Sequence, residues 1–315
     1  MMNLREFTFL SADGKTPIHC IEWKPEGEVR AVLQIAHGVA EYAMRYNGFA
    51  RFLTENGIAV LANDHIGHGE SMAEGATPVY FGEKDGWKFV VDDMHTLYET
   101  GRKLYPGVPY YLMGHSMGSF LARTFLIRYP SRVDGAIIMG TGQQLHIVTA
   151  GGRLTAKAES RKYGWEGFSE LVDKLAFGAY NKAFAPNRTT HDWLSRNEAN
   201  VDAYIADPLC GGKASLGLLY DMLGGISFIC DQKNVKRMDM YTPVLFISGG
   251  DDPVGDHGKG VVSAHNSFRR AGVKDLTIQL YPGMRHEILN EKEYQTVYDY
   301  ILDWLKKRIE KIEAR

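Results

Sequence analysis

Apolar runs alternate with amphipathic segments along most of the chain, and this pattern predicts the layout of the fold. Two short runs, at residues 6–10 and 18–23, flank an Asp13-Gly14 pair that is typical of a turn, so they are predicted to form an antiparallel hairpin. The later runs are almost continuously apolar, as expected for parallel strands covered on both faces. These predicted strands are 31–36, 58–63, 110–113, 136–139, 244–248 and 276–280.

Segments with helical periodicity fill the intervals between these strands. Apolar residues recur at helical spacing over 87–105 and 117–129, and each segment ends next to a proline. The last helix presents an apolar face over 294–309, and we predict that Asn290 caps it, with Glu293 at the third helical position. Strands alternating with helices predict an α/β fold with a doubly wound, mostly parallel sheet.

The alternation stops between residues 142 and 241. This stretch contains helix-like pieces at 145–162, 167–185 and 216–228 but few β-branched runs, and a strand pattern returns only at 242–247. Because the sheet needs strands from both sides of the interruption, a helical insertion into one core is favoured over a second domain. The predicted division is 1–141 for the first part of the core, 142–241 for a helical cap and 242–315 for the second part of the core.

The composition narrows the class of protein. Hydrophobic residues make up 44% and charged residues 23%, as in ordinary globular proteins, and a net charge of −2 gives no reason to expect nucleic acid as a partner. Three cysteines without a CxxC pair suit a reducing compartment. The first seven residues lack the apolar segment of a signal peptide, and no run is long enough for a transmembrane helix. These observations predict a soluble, cytoplasmic protein.

One pentapeptide carries the main chemical signal. Gly114-His115-Ser116-Met117-Gly118 follows the predicted strand at 110–113 and opens the predicted helix at 117–129. A strand, a sharp turn and a helix form the context in which GxSxG acts as a nucleophile elbow. Ser116 is therefore the predicted nucleophile, and the two glycines are required where strand and helix approach closely.

A nucleophilic serine needs backbone N–H donors where negative charge develops on the substrate oxygen. The first predicted donor is the N–H of Met117, at the positive end of the helix that follows Ser116. The loop after the third strand, His37-Gly38-Val39-Ala40-Glu41, offers the second donor. Because Gly38 allows the backbone to turn towards the site, the N–H of Val39 is the candidate.

The acid of the triad is expected after the strand at 244–248, because proteins with this elbow order the triad as serine, acid, histidine. Asp252 is chosen over Asp251 and Asp256, because Pro253 and Val254 follow it. Together with His257, these aspartates could also resemble a metal site. Helix capping is the better explanation for the members other than Asp252, so no metal and no other cofactor is predicted.

The general base is expected between the strand at 276–280 and the last helix. His286 lies there, whereas His257 and His265 fall in another segment. In the predicted mechanism His286 takes the proton of Ser116 and returns it to the leaving alcohol, while Asp252 fixes the tautomer of the imidazole.

Several segments resemble a known family. The segment His37-Gly38-Val39-Ala40-Glu41-Tyr42-Ala43-Met44-Arg45-Tyr46, the segment Asp64-His65-Ile66-Gly67-His68-Gly69-Glu70-Ser71 and the pentapeptide around Ser116 are similar to those of monoacylglycerol lipases and lysophospholipases, a family that includes bacterial esterases. The resemblance implies an α/β-hydrolase fold with an inserted helical cap. It also implies a serine hydrolase of carboxylic esters whose small-molecule or lipid substrate is a monoacylglycerol or lysophospholipid type ester with a long acyl chain. In this family the Asp-x-x-Gly-His-Gly-x-Ser segment is a structural loop, so Asp64, His65 and His68 receive no chemical role.

The resemblance also places Glu41 and Arg45 near the polar end of the substrate pocket. They could equally form an i,i+4 ion pair on the surface. Ala40 departs from the family pattern, in which glycine is frequent at this position, and this departure affects the prediction for Val39 more than that for Met117.

The nature of the ester is left open. Aromatic residues of the predicted cap could line an acyl channel or simply form the core of the cap; they are Phe177, Tyr180, Phe184, Trp193, Tyr204 and Phe228. The segment 149–162 is too polar for a strongly lipid-inserting helix, which favours dissolved or micellar esters over interfacial action. Alternatives are an aminopeptidase-like activity, a short-chain or aryl esterase, and a non-catalytic binding protein on the same scaffold. The sequence predicts no oligomeric state.

Overall fold

The structure, a computed structural model, describes residues 3–314, and the described chain contains one eight-stranded sheet. Its strands are β1 (Asn3–Leu10), β2 (Pro17–Lys24), β3 (Ala31–Ala36), β4 (Ile58–Asn63), β5 (Tyr110–His115), β6 (Gly135–Met139), β7 (Val244–Gly249) and β8 (Leu276–Tyr281). Their order is β1-β2-β4-β3-β5-β6-β7-β8; β2 is antiparallel to β1 and β4, and the other pairs are parallel. The predicted hairpin and the mostly parallel sheet are confirmed. Met1 and Met2, in the segment inspected for a signal peptide, lie outside the described residues.

Helices cover both faces of the sheet. They are α1 (Asn47–Glu55), α2 (Gly86–Leu104), α3 (Met117–Arg128), α4 (His146–Tyr163), α5 (Glu170–Ala176), α6 (Glu198–Ala206), α7 (Leu216–Cys230), α8 (Gln232–Val235), α9 (Lys259–Ala271) and α10 (Tyr294–Glu313). One buried apolar cluster packs α1 and α10 against one face, and another packs α2, α3 and α9 against the opposite face. The predicted doubly wound α/β architecture is therefore confirmed.

The strand order fixes where a site can form. From β3 the chain first adds β4 on one side and then crosses to β5 on the other side, so the loops after β3 and β5 diverge. In open parallel sheets a crevice forms at the carboxyl ends of the strands at such a switch point. The loops that carry Gly38, Ser116, Asp252 and His286 all follow carboxyl ends of strands on this edge.

The segment between β6 and β7 contains helices α4 to α8 and two short 3-10 helices, Tyr180–Phe184 and Asp192–Leu194. The single helix predicted over 167–185 is wrong, because α5 ends at Ala176 and a 3-10 helix follows. Gly178 lies at the break, and glycine costs about 1 kcal/mol in a helix interior relative to alanine. Among residues 3–314, no helix has the length and hydropathy that crossing a bilayer requires.

Helix α4 is less polar on its outer surface than its composition suggests. Ile147 is 77% exposed, Leu154 is 70% exposed and Val148 is 53% exposed. Exposed apolar side chains of this kind are compatible with a lipid surface as well as with water. The sequence-based preference for dissolved esters, drawn from residues 149–162, stays a prediction.

The predicted cap of the last helix is wrong. Helix α10 begins at Tyr294 after Glu293, and no side chain caps it. Asn290 instead ends a 3-10 helix, donates from its side chain to Glu287 at 3.1 Å, and accepts at its carbonyl from the side chain of Asn197 at 3.1 Å. Glu293 forms an ion pair with Arg196. Contacts with the segment between β6 and β7 therefore replace the local capping box.

The start of helix α2 depends on a residue distant in the chain. Its own N-cap residue, Asp85, has a left-handed backbone (φ 57°) and makes no side-chain capping bond. The carboxylate of Asp221, on α7, lies beside Gly86 and is stabilised by the backbone N–H groups of Gly86 and Trp87. Because the first N–H groups of a helix lack partners within it, α7 caps α2 from outside.

This arrangement predicts a pH-dependent effect at Asp221. Burial raises its pKa from 3.8 to about 6, against the opposing effect of the two N–H donors. An acid whose pKa is raised on folding contributes most stability below pH 3.8, and that contribution is lost as the pH rises to about 6. Asp221→Asn keeps an acceptor without a charge. The free energy of unfolding of this variant is therefore expected to rise, relative to that of the native protein, as the pH increases from 5 to 8.

Asp221→Ala removes the acceptor and is expected to be about 1 kcal/mol less stable than Asp221→Asn at both pH values. Urea denaturation of the three proteins measures this difference. Equal stability of the alanine and asparagine variants would show that Asp221 does not cap α2.

Candidate active site

Ser116 is the only residue between strand β5 and helix α3. Its backbone has φ 55° and ψ −121°, a conformation that costs a non-glycine residue on the order of 1–3 kcal/mol. The N–H of Ser116 donates to the carbonyl of Met139 at 3.0 Å, which ties the turn to β6. A Cβ at Gly118 would lie 2.0 Å from the carbonyl oxygen of Ala36, so no larger residue fits there. This geometry is that of the predicted nucleophile elbow.

His286 lies in the loop after β8, and its Nδ1 is 2.9 Å from Oδ2 of Asp252. Asp252 is fully buried and also accepts from the Ser248 hydroxyl at 3.1 Å and the Val254 N–H at 2.9 Å. Burial opposes ionisation of Asp252, but the charge and hydrogen bond of His286 outweigh it and lower the pKa of Asp252. Ser116 and His286 line one cavity, so the structure brings the three predicted residues together.

The neighbouring acids are placed differently. Asp251 and Asp256 are exposed, as is His257, and the hydrogen bond to a histidine ring is made by Asp252. Within the described residues, no group of three or more histidine, cysteine or acidic side chains is arranged to hold a metal ion.

The predicted oxyanion loop lies against Ser116. A Cβ at Gly38 would be 3.1 Å from Cβ of Ser116 and 2.7 Å from Oε1 of Glu41, so glycine permits this approach. Val39 lines the cavity, and Met117 is the first residue of α3. In the described part of the chain, neither the Val39 N–H nor the Met117 N–H donates to a protein acceptor. Both groups are therefore free to donate to a substrate oxygen.

Ala40 has a backbone conformation that favours glycine. Its φ is 53°, in the left-handed region that glycine adopts without cost. The carbonyl of Ala40 accepts from the Tyr204 hydroxyl at 3.1 Å and from the Gly211 N–H at 2.9 Å. Residues between β6 and β7 thus hold the oxyanion loop in a strained conformation.

A buried charge network lies next to this loop. Oε1 of Glu41 accepts from the Gly38 N–H at 2.5 Å, and Oε2 accepts from Arg45 at 2.7 Å. Arg45 also donates twice to Glu287, at 2.7 and 2.9 Å, and Asn200 donates to the same carboxylate at 2.6 Å. Burial opposes ionisation of Glu41 and Glu287, but the charge of Arg45 contributes to lowering both pKa values, with His115 also acting on Glu41.

The two interpretations of Glu41 and Arg45 can be compared with this network. The i,i+4 ion pair forms, but it is buried rather than on the surface, with side chains 5% and 11% exposed. Glu41 contributes to the wall of the cavity that holds Ser116, whereas Arg45 lies behind it and does not line that cavity. Glu287 is the second acidic partner of Arg45. Sequence reasoning missed it, although it directly follows His286.

His115 is a second residue that sequence reasoning missed, although it directly precedes Ser116. Its Nδ1 is 3.1 Å from the Tyr46 hydroxyl and 3.3 Å from Oε1 of Glu41, and its Nε2 is 3.3 Å from the carbonyl of His286. Burial disfavours the protonated ring, but the hydrogen bond and charge of Glu41 outweigh this and raise the pKa of His115. A protonated His115 can donate from both ring nitrogens and so bridge the two loops.

The Asp64 segment has the supporting position that the resemblance implies. Asp64 accepts from the N–H of Ala43 at 2.8 Å, and the N–H of His65 donates to Nε2 of His37 at 2.9 Å. The ring of His37 therefore carries its proton on Nδ1, which lies 2.7 Å from the carbonyl of Gly38. These bonds attach the Asp64 segment to the predicted oxyanion loop and to the residues that follow it.

The cavity above Ser116 has a volume of about 420 Å³, within the range of small-molecule sites. Three of the six aromatic candidates for an acyl channel line it, namely Phe177, Trp193 and Tyr204, and the other three do not. Its wall also includes Asp173 and Lys213. The cavity is thus apolar on one part of its surface and charged on another.

Curated proteins similar to this chain over most of its length include monoacylglycerol lipases. The monoacylglycerol lipase of Mycolicibacterium smegmatis is 27% identical over 303 residues, which cover 95% of this chain and 96% of the relative. The monoglyceride lipase of Homo sapiens is 28% identical over 310 residues, which cover 95% of this chain and 89% of the relative. These relatives confirm the predicted resemblance.

Solved structures extend the likeness to three dimensions. A thermostable carboxyl esterase from Bacillus coagulans, in complex with glycerol, matches with a TM-score of 0.90 and 26% identity, covering 98% of this chain and 100% of its own. The family model described as serine aminopeptidase, S33, matches residues 27–293. The chain therefore belongs to the S33 serine aminopeptidase family and has the α/β-hydrolase fold.

Proposed function

We propose that this protein is a serine hydrolase that cleaves carboxylic esters through an acyl-enzyme intermediate. The observation that carries the proposal is the strained Ser116 in one cavity with His286, whose ring is hydrogen-bonded to the buried Asp252. Relatives named as monoglyceride lipases and a neighbour named as a carboxyl esterase support ester cleavage.

In the proposed mechanism Ser116 attacks the ester carbonyl while His286 accepts its proton. The negative charge that develops on the carbonyl oxygen is stabilised by the N–H groups of Val39 and Met117. His286 then protonates the leaving alcohol, and Asp252 stabilises the imidazolium throughout. A water molecule, activated by the same histidine, releases the acid from Ser116.

The proposed substrates are monoacylglycerol or lysophospholipid type esters, and residues 142–241 are proposed to act as the cap over the site. The aromatic side chains Phe177, Trp193 and Tyr204 suit an acyl chain, and the named relatives support a glycerol ester. An aminopeptidase-like activity is the second candidate, because the family description names one and Asp173 offers a carboxylate for an amine.

We further propose that Arg45 is a positioning residue. It holds the loop of Glu41 and the loop of Glu287 at a fixed separation, and these loops carry the proposed oxyanion donor Val39 and the base His286. Glu41 in turn holds the loop through the N–H of Gly38.

A panel of esters and amides decides between the candidates. It pairs monoacylglycerols, lysophospholipids and p-nitrophenyl esters of increasing chain length with amino-acid anilides. Cleavage of esters with a preference for the longer acyl chains is expected. Cleavage restricted to anilides would establish the peptidase.

Ser116→Ala is expected to lower kcat by on the order of 10⁶-fold, because the nucleophile is removed. A fluorophosphonate probe should label the native protein and not this variant, since labelling requires an activated serine. Ser263→Ala changes an exposed serine on α9 and should retain labelling and turnover. An unlabelled native protein would indicate a binding protein on a hydrolase scaffold.

Gly38→Ala tests the oxyanion loop. The added Cβ would meet Ser116 and Glu41, so the loop has to move away from the nucleophile. We expect kcat to fall by roughly 10²–10³-fold, the usual effect of losing one oxyanion donor. At Gly27 a Cβ meets nothing within 4 Å, so Gly27→Ala is the matched control. Equal kcat values of the two variants would show that the Val39 N–H is not an oxyanion donor.

Arg45→Met leaves two buried carboxylates without their cation and is expected to destabilise the protein by about 3–5 kcal/mol. Arg30→Met breaks an exposed ion pair with Glu313 and should cost less than about 1 kcal/mol. Urea denaturation measures both.

Arg45→Lys keeps the charge and tests the role of the fork-shaped guanidinium. If Arg45 positions the loops, kcat falls by the same factor for glycerol esters and simple alkyl esters, while KM changes little. A rise in KM confined to glycerol esters would instead show that Arg45 binds the alcohol part of the substrate.

A further inference from the structure

A second cleft, separate from the cavity of Ser116, lies between core helices α2 and α3 and helices α4 and α7. Its volume is about 580 Å³, compared with about 420 Å³ for the cavity above the nucleophile. None of the three proposed triad residues lines it. A cleft of this size can enclose most of a small amphiphilic molecule.

Aromatic rings form much of the wall of this cleft. Trp165 and Tyr220 lie with ring centroids 5.1 Å apart, and Phe228 lies further along α7. The indole N–H of Trp87 donates to the Thr124 hydroxyl at 3.2 Å, so its ring is held in one orientation. These side chains provide an apolar surface with little conformational freedom to lose when a ligand binds.

Arg153 supplies an unpaired cation in this surface. Its guanidinium carbon lies 4.1 Å from the centre of the Tyr220 ring, and its Nε is shielded from solvent. Within residues 3–314, its guanidinium donates no hydrogen bond to a protein acceptor. The nearby carboxylate of Asp221 attracts it but already accepts from the N–H groups at the start of α2. The Nη atoms of Arg153 are not shielded from solvent, so an anion in the cleft can accept hydrogen bonds from them.

The other charges of the cleft restrict the kind of anion. Lys88 and Arg128 are both paired with Asp92, at 2.8 Å each, so they are not free to bind a ligand. Lys84 and Lys157 also line the cleft. The acids Glu83, Asp85 and Asp221 line it too and lower its net positive charge, which disfavours a polyanion such as a nucleotide. One free guanidinium between aromatic walls suits a single carboxylate, which it can bind through two parallel hydrogen bonds.

We infer that this cleft binds an amphiphilic monocarboxylate, with its carboxylate on Arg153 and its hydrocarbon chain along Trp87, Trp165 and Phe228. The assignment is independent of the proposed ester hydrolysis, because it uses none of the triad residues. The same class of molecule is the acid product of that reaction.

Quenching of tryptophan fluorescence by 11-bromoundecanoate tests the site, since a bromine atom quenches the rings that it contacts. The measurement uses the Ser116→Ala protein at probe concentrations below aggregation, and it compares Trp165→Phe with Trp193→Phe. Trp165 lines the cleft and Trp193 lines the cavity of Ser116. Trp87 also lines the cleft, so quenching is expected to become weaker in Trp165→Phe and to stay unchanged in Trp193→Phe. The opposite result would place the probe in the cavity of Ser116 and overturn the proposal.

Arg153→Gln is expected to raise the Kd of the bromo acid by about tenfold or more, because the charge-assisted pair is lost. Arg161→Gln changes an exposed arginine of the same helix and should leave the Kd unchanged. Arg153→Lys, which keeps the charge without the fork, should weaken binding as well and serves if the glutamine variant does not fold. An unchanged Kd in the Arg153 variants, or equal affinity for the neutral 11-bromoundecanol, would refute the assignment.

Discussion

The buried guanidinium of Arg45 joins two carboxylates whose loops lie far apart in the sequence. Glu41 follows β3 and Glu287 follows β8, and both accept hydrogen bonds from Arg45 at 2.7 Å. Buried ion pairs add little net stability, because desolvation offsets most of the attraction, but loss of one partner leaves an uncompensated charge. The constraint is therefore mainly geometric: the loop of the proposed oxyanion donor cannot move relative to the loop of the proposed base without separating buried charges. The charges of this network thus fix a distance on which the proposed catalytic chemistry depends.

Backbone strain is found at two positions of the site, and each is held by contacts from other segments. Ser116 has φ 55° and is fixed by the carbonyl of Met139, and Ala40 has φ 53° and is fixed by Tyr204 and Gly211. Conformations of this kind persist only where the surroundings over-determine them. Alanine at position 40 has a steric cost that glycine would avoid, and the hydrogen bonds from Tyr204 and Gly211 oppose it.

The sequence predicted the sheet, the elbow and the residues that the structure gathers at the site, because each of these is specified locally. Continuous apolar runs identify buried parallel strands, and the strand–turn–helix context identifies Ser116. The errors and omissions concern contacts made over long sequence separations. Asparagine is a common helix-capping residue, yet the side chain of Asn290 donates to Glu287 instead. Glu287 itself could not be paired with Arg45 from the sequence, since 242 positions separate them. The exposure of Ile147 and Leu154 likewise depends on which face of α4 the neighbouring helices cover.

The segment between β6 and β7 is connected to the site through specific polar contacts as well as through the cavity wall. Asn200 donates to Glu287, Tyr204 donates to Ala40, and Asp221 caps the first turn of α2. These three contacts reach the loop of the proposed base, the loop of the proposed oxyanion donor and a helix of the core. A displacement of the segment would break all three together and release the strained backbone at Ala40. Its position and the competence of the site are thus linked through the same contacts, so a ligand that stabilises α4 and α7 against the core would favour the competent arrangement by its differential affinity alone.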